Sequence, residues 1–307
     1  MGLYLAADAG GTNTTFLLAD EDRELARTTV GTIKRMRASA EECSSNFQQA
    51  VRELELASGV SMRSVLHTCI GTAGETVPLV VEWIRGEMQR SVGGRLLLLG
   101  DVEIALDAAF PGGRGVLVLA GTGSNVCGRA RDGRMTRAGG WGPAISDQGS
   151  GYWIGREGLR QAFLAMDKEM PSTLLKAIFA AWGVTSVGDA VQYAHTVPPP
   201  DFSHLSRLVV DCAEDGDAVA RDVLRRGGED LADLAWIVME RLRRWETEAT
   251  GERAPAMQVA VAGSIMAHVK LVRDAMAQKL HGADAAIGVV PQAVDPVLGA
   301  LWRARNA

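Results

Sequence analysis

Apolar and polar positions recur along this chain in an order that predicts specific elements. Residues 3–8 (LYLAAD) form a short apolar run that stops at Asp8. GGTNTT follows, then 15–20 (TFLLAD), the turn EDR and 24–30 (ELARTTV). This order predicts a strand, a Gly-rich hairpin, a second strand, a polar turn and a third strand. A helix is expected over 39–58, because Phe47, Val51, Leu54 and Ala57/Ser58 recur at helical spacing. Ser39 is its expected N-cap, Glu42 completes a capping box, and Gly59 ends it. A strand over 64–70, a helix near 76–90, the strand 95–99 closing in Gly100–Asp101, and a helix over about 102–109 follow.

The order then starts again. Residues 115–120 (GVLVLA) run into GTGSN, then 126–130, the Asp132–Gly133 turn and 134–138. Helices are expected to dominate 151–250, broken at Gly183, Pro198–Pro199–Pro200 and Gly227–Gly228. The strand 257–262 leads through Gly263–Ser264 into a helix near 265–280, and a strand over 286–290 and a helix over about 293–305 close the chain. Strands alternating with helices predict an α/β fold with mostly parallel sheets. Two strand–loop–strand–turn–strand units predict duplication: domains 1–112 and 113–307 facing each other across a cleft, the second with a helical insertion, and the last helix able to pack on the first.

Composition narrows the function classes. Lys and Arg number 32 against 37 Asp and Glu, a net charge of −5, which argues against a basic nucleic-acid-binding face. Hydrophobic content of 47% and charged content of 22% exclude intrinsic disorder. Glycine is the outlier at 35 of 307 residues, and it clusters in loops, where it allows close backbone approach. Cys43, Cys69, Cys127 and Cys212 are scattered, which fits core residues in a reducing compartment better than a disulfide or metal framework. No apolar run is long enough for a signal peptide or a bilayer span, so a cytoplasmic protein without a membrane partner is expected.

Candidate chemistry sits where strands meet glycines. Asp8, Gly10, Gly11, Thr12, Asn13 and Thr14 form a hairpin whose N–H and hydroxyl donors suit phosphate, with Asp8 placed to hold Mg²⁺. An ordinary turn is the competing reading. A second such loop with Thr122, Gly123 and Ser124 at the equivalent place favours a clamp on a triphosphate. Asp101, just past an apolar strand, reads either as an N-cap or as a base that takes a proton from a hydroxyl. Gly139, Gly140 and Trp141 offer a flat face for a sugar, and Asp147 either binds hydroxyls or caps the next helix. Gly263 and Ser264 open a helix, where a nucleotide or a plain Ser cap fits. Lys34 and Arg35 belong to a basic run that is either solvated or paired with an anionic substrate group. Glu103 and Asp107 are expected on a solvated helix face. There is no Gly-Lys dipeptide and hence no Walker A loop.

Taken together, DAGGTNTT (8–15), LAGTGSN (119–125), GGWGPAISDQGSGYWIG (139–155) and VAGSI (261–265) resemble the N-acetylglucosamine kinase and BadF/BadG/BcrA/BcrD-type ATPase family. That family belongs to the actin/Hsp70/hexokinase superfamily. Pro296, Gly299 and Ala300 extend the likeness to the C-terminus. The resemblance implies two ribonuclease-H-like domains closing over ATP–Mg²⁺ and an amino sugar, and a homodimer. It matches Asp101 to the catalytic aspartate, Gly140, Trp141 and Asp147 to the sugar block, and Gly263–Ser264 to the adenosine motif. The implied activity is transfer of phosphate to a hydroxyl, with N-acetylglucosamine as the first candidate. The segment 31–37 lacks the Asn that related sugar kinases carry and holds cations instead, so N-acetylmuramic acid, with its carboxylate, is an alternative; glucosamine is another. A BadF-type ATPase or a sugar-sensing regulator without kinase activity are further readings. The cysteines match no iron–sulfur pattern of the dehydratase activators.

Overall fold

A near-continuous apolar run such as LYLAAD suits a strand covered on both faces, and the first strand is buried in that way. The computed structural model describes residues 2–252 and 254–307. The chain divides into one unit of Met1–Arg114 with Val294–Ala307 and another of Gly115–Ala293.

In the first unit β1 (Tyr4–Ala9), β2 (Asn13–Ala19) and β3 (Glu24–Gly31) pair antiparallel in sequence order. Helix α1 (Ala40–Ser58) follows, with the Ser39 hydroxyl accepting the Glu42 N–H at 3.1 Å and Gly59 ending it at φ 70°. Next come β4 (His67–Thr72), α2 (Pro78–Ser91), β5 (Arg95–Leu99) and α3 (Asp101–Ala109). β4 joins β1 in parallel and β5 joins β4 in parallel, giving the order β3-β2-β1-β4-β5. Period-two alternation divides β1 between two cores. Leu5, Ala7 and Ala9 pack with Phe16, Phe47, Leu54 and Ile84 on one face, while Ala6 packs with Leu17, Cys69 and Ile104 on the other.

The second unit runs β6 (Gly115–Ala120), β7 (Ser124–Arg129), β8 (Met135–Ala138), α4 (Gly151–Asp167), α5 (Leu174–Trp182), α6 (Val187–Ala194), α7 (Leu205–Glu214), α8 (Ala218–Thr250), β9 (Gln258–Ala262), α9 (Ser264–His268), α10 (Lys270–Ala283) and β10 (Gly288–Ala293). Its sheet has the order β10-β9-β6-β7-β8, with antiparallel β6–β7 and β7–β8 pairs and parallel β6–β9 and β9–β10 pairs. Counted from its own first strand, this is the topology of the first sheet. The five helices α4–α8 lie between its third and fourth strands, where the first unit has α1 alone. The last helix, α11 (Pro296–Arg305), returns to the first unit, with Asp295 accepting the Val297 N–H at 3.3 Å to start it.

Two expectations fail for reasons of tertiary packing. Gly227–Gly228 do not break the helices; they lie inside the 33-residue α8. A Cβ at 227 would stand 3.1 Å from the Trp153 ring, and one at 228 would stand 2.2 Å from the Val272 carbonyl oxygen. Glycine's helical cost of about 1 kcal/mol each is offset by the approach of neighbouring elements that it allows. Nor are Glu103 and Asp107 solvated. Asp107 is fully buried, with Arg303 of α11 at 2.6 Å, and the same guanidinium reaches Glu103 at 3.1 Å. Boundaries moved less: the helix expected near 265–280 is interrupted at Val269, and α11 starts later than expected, at Pro296. All four cysteines are buried and free of disulfides. Among the described residues no single helix is long and apolar enough to cross a membrane.

Arg303→Met keeps the apolar stem of the side chain but removes the charge that compensates a buried carboxylate. Urea denaturation is expected to show a loss of about 3 kcal/mol. An unchanged midpoint would show that Arg303 does not stabilise α3.

Candidate active site

Parallel pairing aligns the carboxyl ends of β1, β4 and β5. Asp8 lies opposite Gly71, and Gly71 lies opposite Leu99, so Asp8, the loop 73–77 and Asp101 leave the sheet along one edge. Gly11, Thr12 and Asn13 are exposed at the β1–β2 turn. Thr14 is not: it is fully buried, and its hydroxyl accepts the Ile33 N–H at 3.2 Å. The Thr32 hydroxyl donates to the Gly10 carbonyl at 2.8 Å and accepts the Lys34 N–H at 3.0 Å, tying the segment after β3 to the glycine turn.

Asp101 is the first residue of α3, with Gly100 as the N-cap, and its carboxylate accepts the Val102 N–H at 2.8 Å. Burial raises its pKa; the Lys34 ammonium and the Val102 N–H pull it back, and Glu75 pushes it further up. Asp8 is pushed up to about 7, first by burial and then by the negative charges of Asp101 and Asp295, with Lys34 opposing. Burial lowers the pKa of Lys34 and Arg37 adds to that, against Asp101, Asp8 and Glu75, which favour its charge. Arg35 does not join this group. Its guanidinium donates to the Ala38 carbonyl at 2.6 Å and closes its own turn.

The second unit gathers its candidates in the same way. Leu119 pairs with Ala262 across β6–β9, so Gly121–Thr122 and Gly263–Ser264 leave adjacent strand ends. Gly263 has φ 89°, and a Cβ there would meet the Ala120 carbonyl oxygen at 2.4 Å. It is Gly263, not Ser264, that occupies the N-cap of α9. The Ser124 hydroxyl donates to the Gln148 carbonyl at 2.8 Å, and the Gly121 carbonyl accepts the Gly151 N–H at 2.7 Å. Asp147 is buried and adopts φ 72°, a left-handed conformation that costs a non-glycine residue on the order of 1 kcal/mol. One of its oxygens accepts the Gly142 N–H at 3.2 Å, and the other lies 2.9 Å from where Gly123 would carry a Cβ. Burial raises the Asp147 pKa, opposed by the N–H groups of Gly142 and Ser124. The cap of α4 is Ser150, whose hydroxyl accepts the Trp153 N–H. Gly139 and Gly140 both have positive φ, and a Cβ at Gly140 would meet the Asn125 side chain at 2.7 Å. Trp141 is 59% exposed, with the Arg137 guanidinium 5.0 Å from its ring centroid.

The profile of the BadF/BadG/BcrA/BcrD ATPase family matches residues 7–304, and so includes every one of these loops. The chain belongs to that family. An N-acetylmuramic acid/N-acetylglucosamine kinase from Clostridium acetobutylicum is 27% identical, covering 100% of this chain and 99% of its own length. An N-acetyl-D-glucosamine kinase from Dictyostelium discoideum is 29% identical over 78% of this chain and 80% of its own. A solved structure from Chromobacterium violaceum superposes with a TM-score of 0.71 at 23% identity, covering 98% of both chains. Fold and family together are the duplicated ribonuclease-H-like arrangement of actin-like ATPases.

Within this BadF-type chain, two acidic residues in the first unit carry no local signal of function. Asp295 precedes the Pro-x-x-Gly-Ala segment, caps α11 and pairs with Arg27 at 2.6 Å, and its charge reaches Asp8. Glu75 stands in the loop after β4, its carboxyl carbon 3.7 Å from the place of a Cβ on Gly100. Strand register explains the position of Glu75, and the return of α11 to the first unit explains that of Asp295; neither is visible in a local window.

Asp8 also makes a prediction about stability. Its folded pKa of about 7 lies above the ordinary 3.8. Its stabilising contribution is therefore complete below about pH 4 and lost as pH rises through 7. Asp8→Asn is expected to raise the melting temperature of the nucleotide-free protein at pH 8 by the equivalent of about 1–2 kcal/mol, and to change it little at pH 5. Thermal scans at both pH values check this; an equal shift at both would remove the electrostatic explanation.

Proposed function

We propose that this chain is an ATP-dependent kinase that phosphorylates a hydroxyl of an amino sugar, with N-acetylglucosamine as its first acceptor. The observation that carries the reading is Asp101. It stands at the carboxyl edge of the first sheet beside Lys34, in a chain that matches an N-acetylmuramic acid/N-acetylglucosamine kinase over its whole length. Asp101 takes the proton of the acceptor hydroxyl as that oxygen bonds to the γ-phosphorus and the bond to the leaving ADP breaks. Lys34 favours the ionised form of Asp101, against its burial. The turn Gly10–Gly11–Thr12, exposed at Gly11 and Thr12, and the loop Thr122–Gly123–Ser124 supply N–H donors for charge on the phosphates. Gly263 and Ser264 receive the adenosine side, and the acceptor ring meets Gly139, Gly140, Trp141 and Asp147.

Asp8 is the residue suited to Mg²⁺. Its charge is crowded by Asp101 and Asp295, a strain that a divalent cation relieves. Among the described residues no three carboxylates, histidines or cysteines form a metal cage. That fits an ion held by one carboxylate, water and phosphate oxygens. Bound there, it would offset the negative charge of the transferring phosphate.

Arg35, engaged with Ala38, gives no support to a carboxylated acceptor through that side chain. A coupled ADP-release assay across N-acetylglucosamine, glucosamine and N-acetylmuramic acid tests the reading directly. Sugar-independent ATP hydrolysis would instead favour an ATPase that acts on a partner. Asp101→Asn is expected to lower kcat by about 10²–10⁴ while leaving KM for the sugar within a few-fold. Full turnover in that variant would refute the assignment.

A further inference from the structure

We propose that Glu75 is a specificity-determining residue of the acceptor site: its carboxylate accepts a hydrogen bond from an uncharged amino sugar and repels one that bears a carboxylate. The inference rests on the kinase reading above and assigns a role to a residue outside the family motifs.

Three observations support it. First, β4 lies between β1 and β5 in the sheet, so the loop carrying Glu75 leaves from between the strands that carry Asp8 and Asp101. Second, the Glu75 carboxyl group is 3.7–3.9 Å from the Cβ position of Gly100, the residue before Asp101. A glycine there leaves open the space between the two carboxylates. Third, Glu75 is half-buried, yet among the described residues nothing makes a hydrogen bond or ion pair with it. Asp101 beside it, by contrast, accepts the Val102 N–H. A half-buried carboxylate without a donor is an acceptor waiting for one.

The local charge decides which ligand completes it. Of the basic residues in and around the 34–37 run, Arg27 is held by Glu24 and Asp295, and Arg35 by Ala38. Arg37 is exposed. Lys34 remains, and it is shared among Asp8, Asp101 and Glu75. One ammonium against three carboxylates leaves the balance of charge negative around Glu75. A hydroxyl or amide N–H is welcome beside it; a second carboxylate is not.

The test compares kcat/KM for N-acetylglucosamine and N-acetylmuramic acid in the wild type, Glu75→Gln and Glu75→Asp. The wild type is expected to prefer N-acetylglucosamine. Glu75→Gln should narrow that preference about tenfold, chiefly by raising turnover of N-acetylmuramic acid, because one repulsive charge is gone. Glu75→Asp, which keeps the charge, should retain most of the preference. An unchanged ratio in Glu75→Gln, with N-acetylglucosamine still phosphorylated, overturns the specificity role and leaves the kinase reading standing. A wild type that prefers the acidic sugar also overturns it, and a wild type that phosphorylates neither sugar overturns both.

Discussion

Like charges repel, and the first unit holds two of them together at the edge of a sheet. Asp8 and Asp101 come from strands separated in the order by β4, and the parallel register of β1, β4 and β5 brings them to one edge. Burial is the first cause of the raised pKa of both; negative charge adds to it, from Asp101 and Asp295 at Asp8 and from Glu75 at Asp101. A single ammonium, Lys34, moderates it, and Lys34 is itself kept in place by Thr32, which also binds the Gly10 carbonyl. The surrounding structure therefore has to be stiff. It is: β1 is packed on both faces, and α3, which begins at Asp101, is locked from behind by Arg303.

The second unit solves a different problem with the same topology. Here one acid, Asp147, is held in a conformation that disfavours most side chains, where its two oxygens serve two loops. Gly123 and Gly142 matter at these contacts because each brings bare backbone to the carboxylate. Preorganisation of this kind means that a bound hydroxyl or phosphate would meet groups already in position. Such a site tolerates little change, since any side chain at Gly123 would push directly on Asp147.

The substrate question turns on where positive charge goes. As a string, Lys34–Arg35–Met36–Arg37 looks like a cationic pocket. In the fold, Lys34 turns to the carboxylates and Arg35 to its own backbone. Of the four, Lys34 is the one placed among the carboxylates, in a site whose balance is negative. That reversal comes from the carboxylates brought alongside by β1, β4 and β5, which lie tens of residues away in sequence.

Local patterning was sufficient for much of this protein. The strands over 3–30, the helix begun by Ser39 and ended by Gly59, the repeated order of elements and the glycine loops with their acids were all legible. Each depends on forces acting within a few residues: alternation, capping, and glycine's access to left-handed backbone. Tertiary structure alone decided that Asp107 is buried against Arg303, that Gly227 and Gly228 lie within a helix instead of breaking it, and that Glu75 stands beside Asp101. Each of those outcomes depends on an element distant in the chain, and a side chain's solvation and electrostatic partners are properties of the folded neighbourhood, not of the string.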